Sequence, residues 1–147
     1  MAIREFLTNE EYIRNIAEDM DMGLLVYVHR QTGKTIEIPA PEDHDDSETE
    51  LWKDSINEIK KKRKDYFEVE RWTSSHMYQF MEDFVNTEIK DPLARNLLTS
   101  TLNGRKPFQN FKNLVEQSDE LRETWFKFKL KCQMTWVRNK LQQEFKL

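Results

Sequence analysis

The chain has 147 residues, 37% of them apolar and 34% charged, with three Gly and four Pro. That composition excludes collagen-like, low-complexity and membrane-embedded classes, and the longest apolar run, Leu24-Leu25-Val26-Tyr27-Val28, is far short of the roughly 20 residues of a spanning helix. The net charge of −4 is split unevenly: residues 1–103 hold 13 Lys/Arg against 22 Asp/Glu, whereas residues 104–147 hold 10 against 5.

The first helical pattern covers residues 8–22. Thr8 is the expected N-cap, Glu11 the capping-box partner, and Tyr12, Ile13, Ile16, Ala17 and Met20 keep helical spacing up to Gly23. Leu24 to Arg30 reads as a strand. A Gln31-Thr32-Gly33-Lys34 turn returns it into Thr35-Ile36-Glu37-Ile38, which makes a hairpin. Residues 42–50 form an acidic connection, expected to be a surface loop. Ser47 is placed to cap a helix starting near Glu48 that carries Leu51, Trp52, Ile56 and Ile59. The basic run Lys60-Lys61-Lys62-Arg63-Lys64 suits the negative end of that helix's dipole.

Tyr66 to Glu70 reads as a third strand, and three strands are what a small sheet needs for stability. From Thr73 onward the pattern is helical. Ser74 or Ser75 is expected to cap a helix with Met77, Phe80, Met81, Phe84 and Val85. Asp91-Pro92 opens the next and Asn103-Gly104 closes it. Pro107 begins a shorter helix through Phe108, Phe111, Leu114 and Val115. Ser118 caps a last helix reaching about residue 145.

This last helix is apolar on two sides. Leu121, Trp125, Phe128 and Cys132 form one stripe; Phe126, Leu130, Met134, Val137, Leu141 and Phe145 form another. Such a helix is central in its own fold or shared with a second copy of the chain. The expected fold class is α+β: one domain over residues 1–147, with a small antiparallel sheet, a hairpin plus a third strand, and a mainly helical C-terminal half.

No catalytic constellation is legible. His29, His44, His76 and Cys132 form no HxxxH or CxxC pair, so no metal is expected. With only Gly23, Gly33 and Gly104, no phosphate-cradling glycine loop can be written, and no cofactor is expected. Ser74-Ser75-His76 is read as helix-cap chemistry, and Cys132 as a thiol on an apolar stripe. Glu82-Asp83 are neighbours pointing about 100° apart on a helix, which argues against one shared acid–base site. The single cysteine, and a start lacking the apolar core of a signal peptide, point to a reducing cytoplasm.

One basic and aromatic segment remains. Arg105 and Lys106 precede the Pro107 helix, whose N-terminal N–H groups favour anions. Lys112, Lys127 and Lys131 follow, the last two on one helix face. These five residues are the candidate binding residues, and cations among aromatics suit single-stranded nucleic acid. The competing explanation is that the aromatics are core and the lysines its solvated side.

The segments Val26-Tyr27-Val28-His29-Arg30-Gln31-Thr32-Gly33, Tyr66-Phe67-Glu68-Val69 and Met77-Tyr78-Gln79-Phe80-Met81-Glu82-Asp83-Phe84 follow a recognisable order. They precede Leu102-Asn103-Gly104-Arg105-Lys106-Pro107-Phe108-Gln109-Asn110-Phe111-Lys112 and Trp125-Phe126-Lys127-Phe128. In this order they resemble the UPF0158 family of uncharacterised bacterial proteins, from about residue 16 to 145. The resemblance implies a cytosolic bacterial protein without an established activity. It also implies the pattern Gly-x-Gly-Ala-Phe-Arg-Arg-Phe-Lys, matched here at Gly104, Phe108, Phe111 and Lys112. Lys106 stands where the family has its second Gly, Pro107 where it has Ala, and Gln109 and Asn110 where it has two Arg. Those two replacements weaken a phosphate-binding reading. The stretch Glu42–Lys64 is longer than the family norm.

Three functions follow as expectations. The preferred one is a non-catalytic interaction or regulatory module that binds another macromolecule, a protein, with self-association through the last helix left open. The alternative is a nucleic-acid or anion binder using Arg105, Lys106, Lys112, Lys127 and Lys131. The third is an enzyme built on an unrecognised carboxylate site at Glu82 or Asp83. No membrane partner is expected.

Overall fold

Asn9, not Thr8, opens the first long helix. In the computed structural model, which describes residues 3–40 and 50–146, Ile3–Leu7 forms a short helix (α1) and Glu10–Asp21 the longer one (α2). The Asn9 side chain accepts the Tyr12 N–H at 3.0 Å, while the Thr8 hydroxyl donates back to the Arg4 carbonyl at 3.1 Å. Both residue types cap well. The one chosen is the one that lets α1 finish before α2 begins.

Strands β1 (Leu24–His29) and β2 (Thr35–Pro39) form the hairpin, and β3 (Tyr66–Glu68) pairs antiparallel with the other edge of β1. The sheet order β2-β1-β3 puts β1 in the centre. A central strand covered on both faces needs a continuous apolar run, not an alternating one, and Val26, Tyr27 and Val28 are all buried. Helix α2 packs on β1. On the sheet's other face Tyr27 and Tyr66 cluster with Ile59, flanked by Leu25, Ile36 and Ile38.

Ile59 comes from α3 (Lys53–Lys61), preceded by a single 3-10 turn over Glu50–Trp52. The expected Ser47 cap and Glu48 start lie outside the described residues.

Two compact units emerge. One comprises the described residues up to Arg71 together with those from Gln133 onward; the other is Trp72–Cys132. The second unit is helical: α4 (Ser74–Glu88), α5 (Pro92–Leu102), α6 (Pro107–Val115) and the first part of α7 (Asp119–Phe145). Here too a cap differs from expectation. Thr73, not Ser74 or Ser75, caps α4 in a reciprocal box: the His76 N–H donates to the Thr73 hydroxyl and the Thr73 N–H donates to His76 Nδ1 at 2.9 Å. Asp91 caps α5 ahead of Pro92, and Ser118 caps α7, accepting the Leu121 N–H at 3.2 Å.

Phe84 is the centre of the helical unit. It is fully buried and meets the rings of Trp125, Phe128 and Phe111 at 5.2, 5.5 and 6.3 Å between centroids. Tilted and edge-on aromatic contacts of this kind add about 0.5–1.5 kcal/mol each beyond area burial.

The two stripes of α7 are used in succession along the helix. Trp125 is buried in the helical unit with Leu121 and Phe128 packed beside it, whereas Met134, Val137 and Leu141 are buried in the sheet unit's share of the helix. Phe126, read as part of the second stripe, is 47% exposed.

Part of the uneven charge is paired within the sheet unit. Arg138 pairs with Glu10 at 2.7 Å, Lys140 with Glu70, and Glu144 with Arg30 at 2.6 Å. Cations of the C-terminal segment are thus consumed by carboxylates that lie far away in sequence.

Candidate functional site

Whether an exposed charge is available to a ligand depends on whether the fold already pairs it. Arg105, Lys106, Lys112, Lys127 and Lys131 are all exposed in the helical unit, and none is ion-paired among the described residues.

Arg105 and Lys106 sit in the α5–α6 turn. Lys106 is the N-cap of α6 with φ +46° and ψ +56°, a left-handed conformation costly for a residue with a Cβ. This gives a physical reason for the glycine that the family pattern places there. Asn110 secures the turn: its side chain donates to the Arg105 carbonyl at 2.8 Å. Asn110 thus does structural work at a place where the family pattern has Arg. Lys112 lies in the last turn of α6. Lys127 and Lys131 lie on α7, one turn apart.

Of the five, Arg105 lines a surface hollow. That hollow measures about 470 Å³ and lies between the end of α5 and α6, with Ser100, Thr101, Gly104, Asn113 and Gln117 among its walls. It is open and shallow, unlike the enclosed pockets that engulf small molecules.

The approach to this hollow carries a feature that periodicity alone did not single out. Leu93 is 79% exposed and Leu97 55% exposed, one turn apart on α5. Continuing at the same spacing brings the row to Thr101 and the hollow. Ala94, Leu98 and Leu102 are the row that faces the core. A helix this short needs one apolar row for its core, so the second row was the available signal.

The other chemistry-bearing groups are held in structural roles. His29 Nδ1 accepts the N–H groups of Gln31 and Thr32, closing the hairpin turn, and its ring stands edge-on to Tyr66 at 5.1 Å. His76 belongs to the α4 capping box, and His44 lies outside the described residues. Among the described residues no three His, Cys, Asp or Glu side chains are grouped as a metal would need.

Burial pushes the Cys132 thiol up to about 11, with the Asp83 carboxylate adding to the shift and Lys131 opposing it. A thiol held protonated is a poor nucleophile at neutral pH. Glu82 and Asp83 diverge: Asp83 accepts the Gln79 amide at 2.9 Å on its own helix, whereas Glu82 faces α5 across a small pocket.

Two of the five residues of the basic run Lys60–Lys64 are ion-paired among the described residues. Lys62 pairs with Glu58 at 3.2 Å, and Arg63 pairs with Glu68 at 3.8 Å while lying over the Tyr27 ring at 5.6 Å. No helix among the described residues is long and apolar enough to cross a membrane.

Residues 6–146 match the model of the uncharacterised protein family UPF0158. No curated protein and no solved structure matches the chain.

Proposed function

We propose, from the premise that the chain belongs to the uncharacterised protein family UPF0158, that it is a non-catalytic protein-interaction module. Its docking face is the exposed row of α5, Leu93 and Leu97, running into the hollow that Arg105 lines. The observation that carries this reading is the adjacency of the two exposed leucines. Single exposed apolar residues are ordinary, but a row rimmed by polar groups marks an interaction surface. The occupant is an acidic apolar segment of another protein. Its apolar side chains would cover the leucines, and its carboxylates would meet Arg105, which no described carboxylate pairs. Cys132 supports a reducing, cytosolic setting for this bacterial protein.

A second reading rests on the unpaired Lys106, Lys112, Lys127 and Lys131 together with Arg105, which suit a phosphate backbone. One capture experiment separates the two. Tagged wild-type protein and the Leu93→Ser/Leu97→Ser variant are used to capture partners from host lysate, each with and without nuclease. The docking reading expects protein partners that survive nuclease and are lost from the variant. Partners that vanish with nuclease and stay with the variant would overturn it in favour of nucleic acid.

A further inference from the structure

The pocket between α4 and α5 has an unusual lining. Its volume is about 100 Å³, and its walls are Glu82 and Asn86 from one helix and Thr99 and Asn103 from the other side, over a floor of Val85 and Leu102. Glu82 and Asn86 are one turn apart on α4. Thr99 sits near the end of α5 and Asn103 is its C-cap residue, again one turn on. Each pair therefore presents its two side chains on a single helix face.

Glu82 is half-buried and Asn86, Thr99 and Asn103 are exposed, and none of the four side chains makes a hydrogen bond or ion pair among the described residues. Thr87, Thr101 and Thr124 each turn their hydroxyl back to the carbonyl one turn earlier, at 2.7, 2.8 and 2.8 Å. Thr99, which lines the pocket, does not, and neither does the exposed Thr135 of α7. Asp83, next to Glu82, is likewise occupied by Gln79 while Glu82 is not.

The chemistry of this lining selects its ligand. A carboxylate with no Lys or Arg on the walls rejects anions. One carboxylate is too few for a hard divalent cation, which takes six or more oxygen ligands and usually several carboxylates. The floor is apolar: Val85 and Leu102 are 2% and 4% exposed. A group that suits both layers has an aliphatic stem for the floor and a cationic head with several donors for the rim. At about 30 Å³ per water, the volume admits some three or four heavy atoms. That is an ammonium with its adjoining methylenes. We propose that the α4–α5 pocket binds a primary alkylammonium group, with Glu82 as its counter-ion accepting one of its three hydrogens and two of Asn86, Thr99 and Asn103 accepting the others. The group has two sources with the same chemistry, a free aliphatic diamine or the end of a lysine side chain.

The test is an amide-resolved NMR titration of the full chain. The probes are cadaverine and Nα-acetyl-lysine methylamide, with 1-pentanol and pentanoate as controls of similar stem. The expected result is saturable millimolar binding of at least one amine, with shifts confined to the amides around Glu82, Asn86, Thr99 and Asn103. Glu82→Gln, which keeps the shape and removes the charge, should weaken it by about tenfold or more. Thr99→Val should weaken it less. Binding of cadaverine alone assigns a free amine, and binding of the lysine derivative alone assigns a partner's lysine. Absence of shifts with both amines overturns the proposal, as do equal shifts with 1-pentanol or unchanged affinity in Glu82→Gln with an otherwise superposable spectrum.

Discussion

Arg138 and Glu10 are separated by 128 residues in sequence and by 2.7 Å in the fold. With Lys140–Glu70 and Arg30–Glu144 they tie the end of α7 to the acidic N-terminal part within one compact unit. The excess of cations after residue 103 therefore answers, in part, a structural need. Both Arg138 and Glu10 remain partly exposed, so the pair is screened. A double-mutant cycle of Arg138→Ala and Glu10→Ala should show a coupling of about 0.2–1 kcal/mol that shrinks in high salt. Denaturant unfolding of the four proteins measures it. A coupling of zero in low salt would remove the pair from the account.

Lys106 holds a left-handed conformation at the start of α6. A side chain there costs about 1–2 kcal/mol, while glycine gives back about 0.5–1 kcal/mol through the freedom of its unfolded chain. Lys106→Gly should thus stabilise the protein by a net of about 0.5 kcal/mol. Lys106→Ala, which keeps the Cβ, should not. Urea midpoints of the three proteins decide the matter, and a destabilised glycine variant would contradict the strain argument.

Tyr12 donates its hydroxyl to the Gly33 carbonyl at 2.6 Å, and burial, followed by the Glu37 charge, pushes its pKa up to about 12. The phenol is then protonated in the folded chain at a pH where the unfolded chain has lost the proton. The stability it contributes is complete below pH 10.0 and is lost as pH rises towards about 12. Tyr12→Phe should cost about 1 kcal/mol at neutral pH, where only the hydrogen bond is removed. It should also flatten the alkaline decline. Denaturant unfolding of both proteins from pH 8 to 12 tests the two effects, and parallel alkaline slopes would contradict the assignment.

Much of this architecture is legible in the residues. Asp91, Pro92 and Ser118 mark helix starts because a short side-chain oxygen three residues ahead of a free N–H is a local arrangement. The hairpin follows equally locally from Gly33, whose positive φ is a conformation that residues with a side chain rarely adopt. Thr73 escapes the same reasoning because its box is closed by His76 where Glu or Gln is usual. Thr8 and Asn9 are two good caps in adjacent places, and only the end of α1 decides between them.

The candidate sites were harder to read for a physical reason. Lys112, Lys127 and Lys131 look alike in sequence to Arg138 and Lys140, yet the fold pairs only the latter two. Leu93 and Leu97 differ from Leu98 and Leu102 only in which row a neighbouring helix covers. Coverage is a property of tertiary packing and leaves no mark on the residue itself.

The central claim is the α5 docking face, and a direct affinity measurement tests it best. The probe is a labelled amphipathic helical peptide with leucines on one face and glutamates on the other, compared with its lysine counterpart by fluorescence anisotropy. The account expects the glutamate peptide to bind more tightly than the lysine peptide. It expects Leu93→Ser/Leu97→Ser to abolish that binding, and Arg105→Glu to weaken it by about tenfold while the protein's melting temperature is unchanged. Equal binding of the two peptides, or full affinity in the leucine variant, would contradict it.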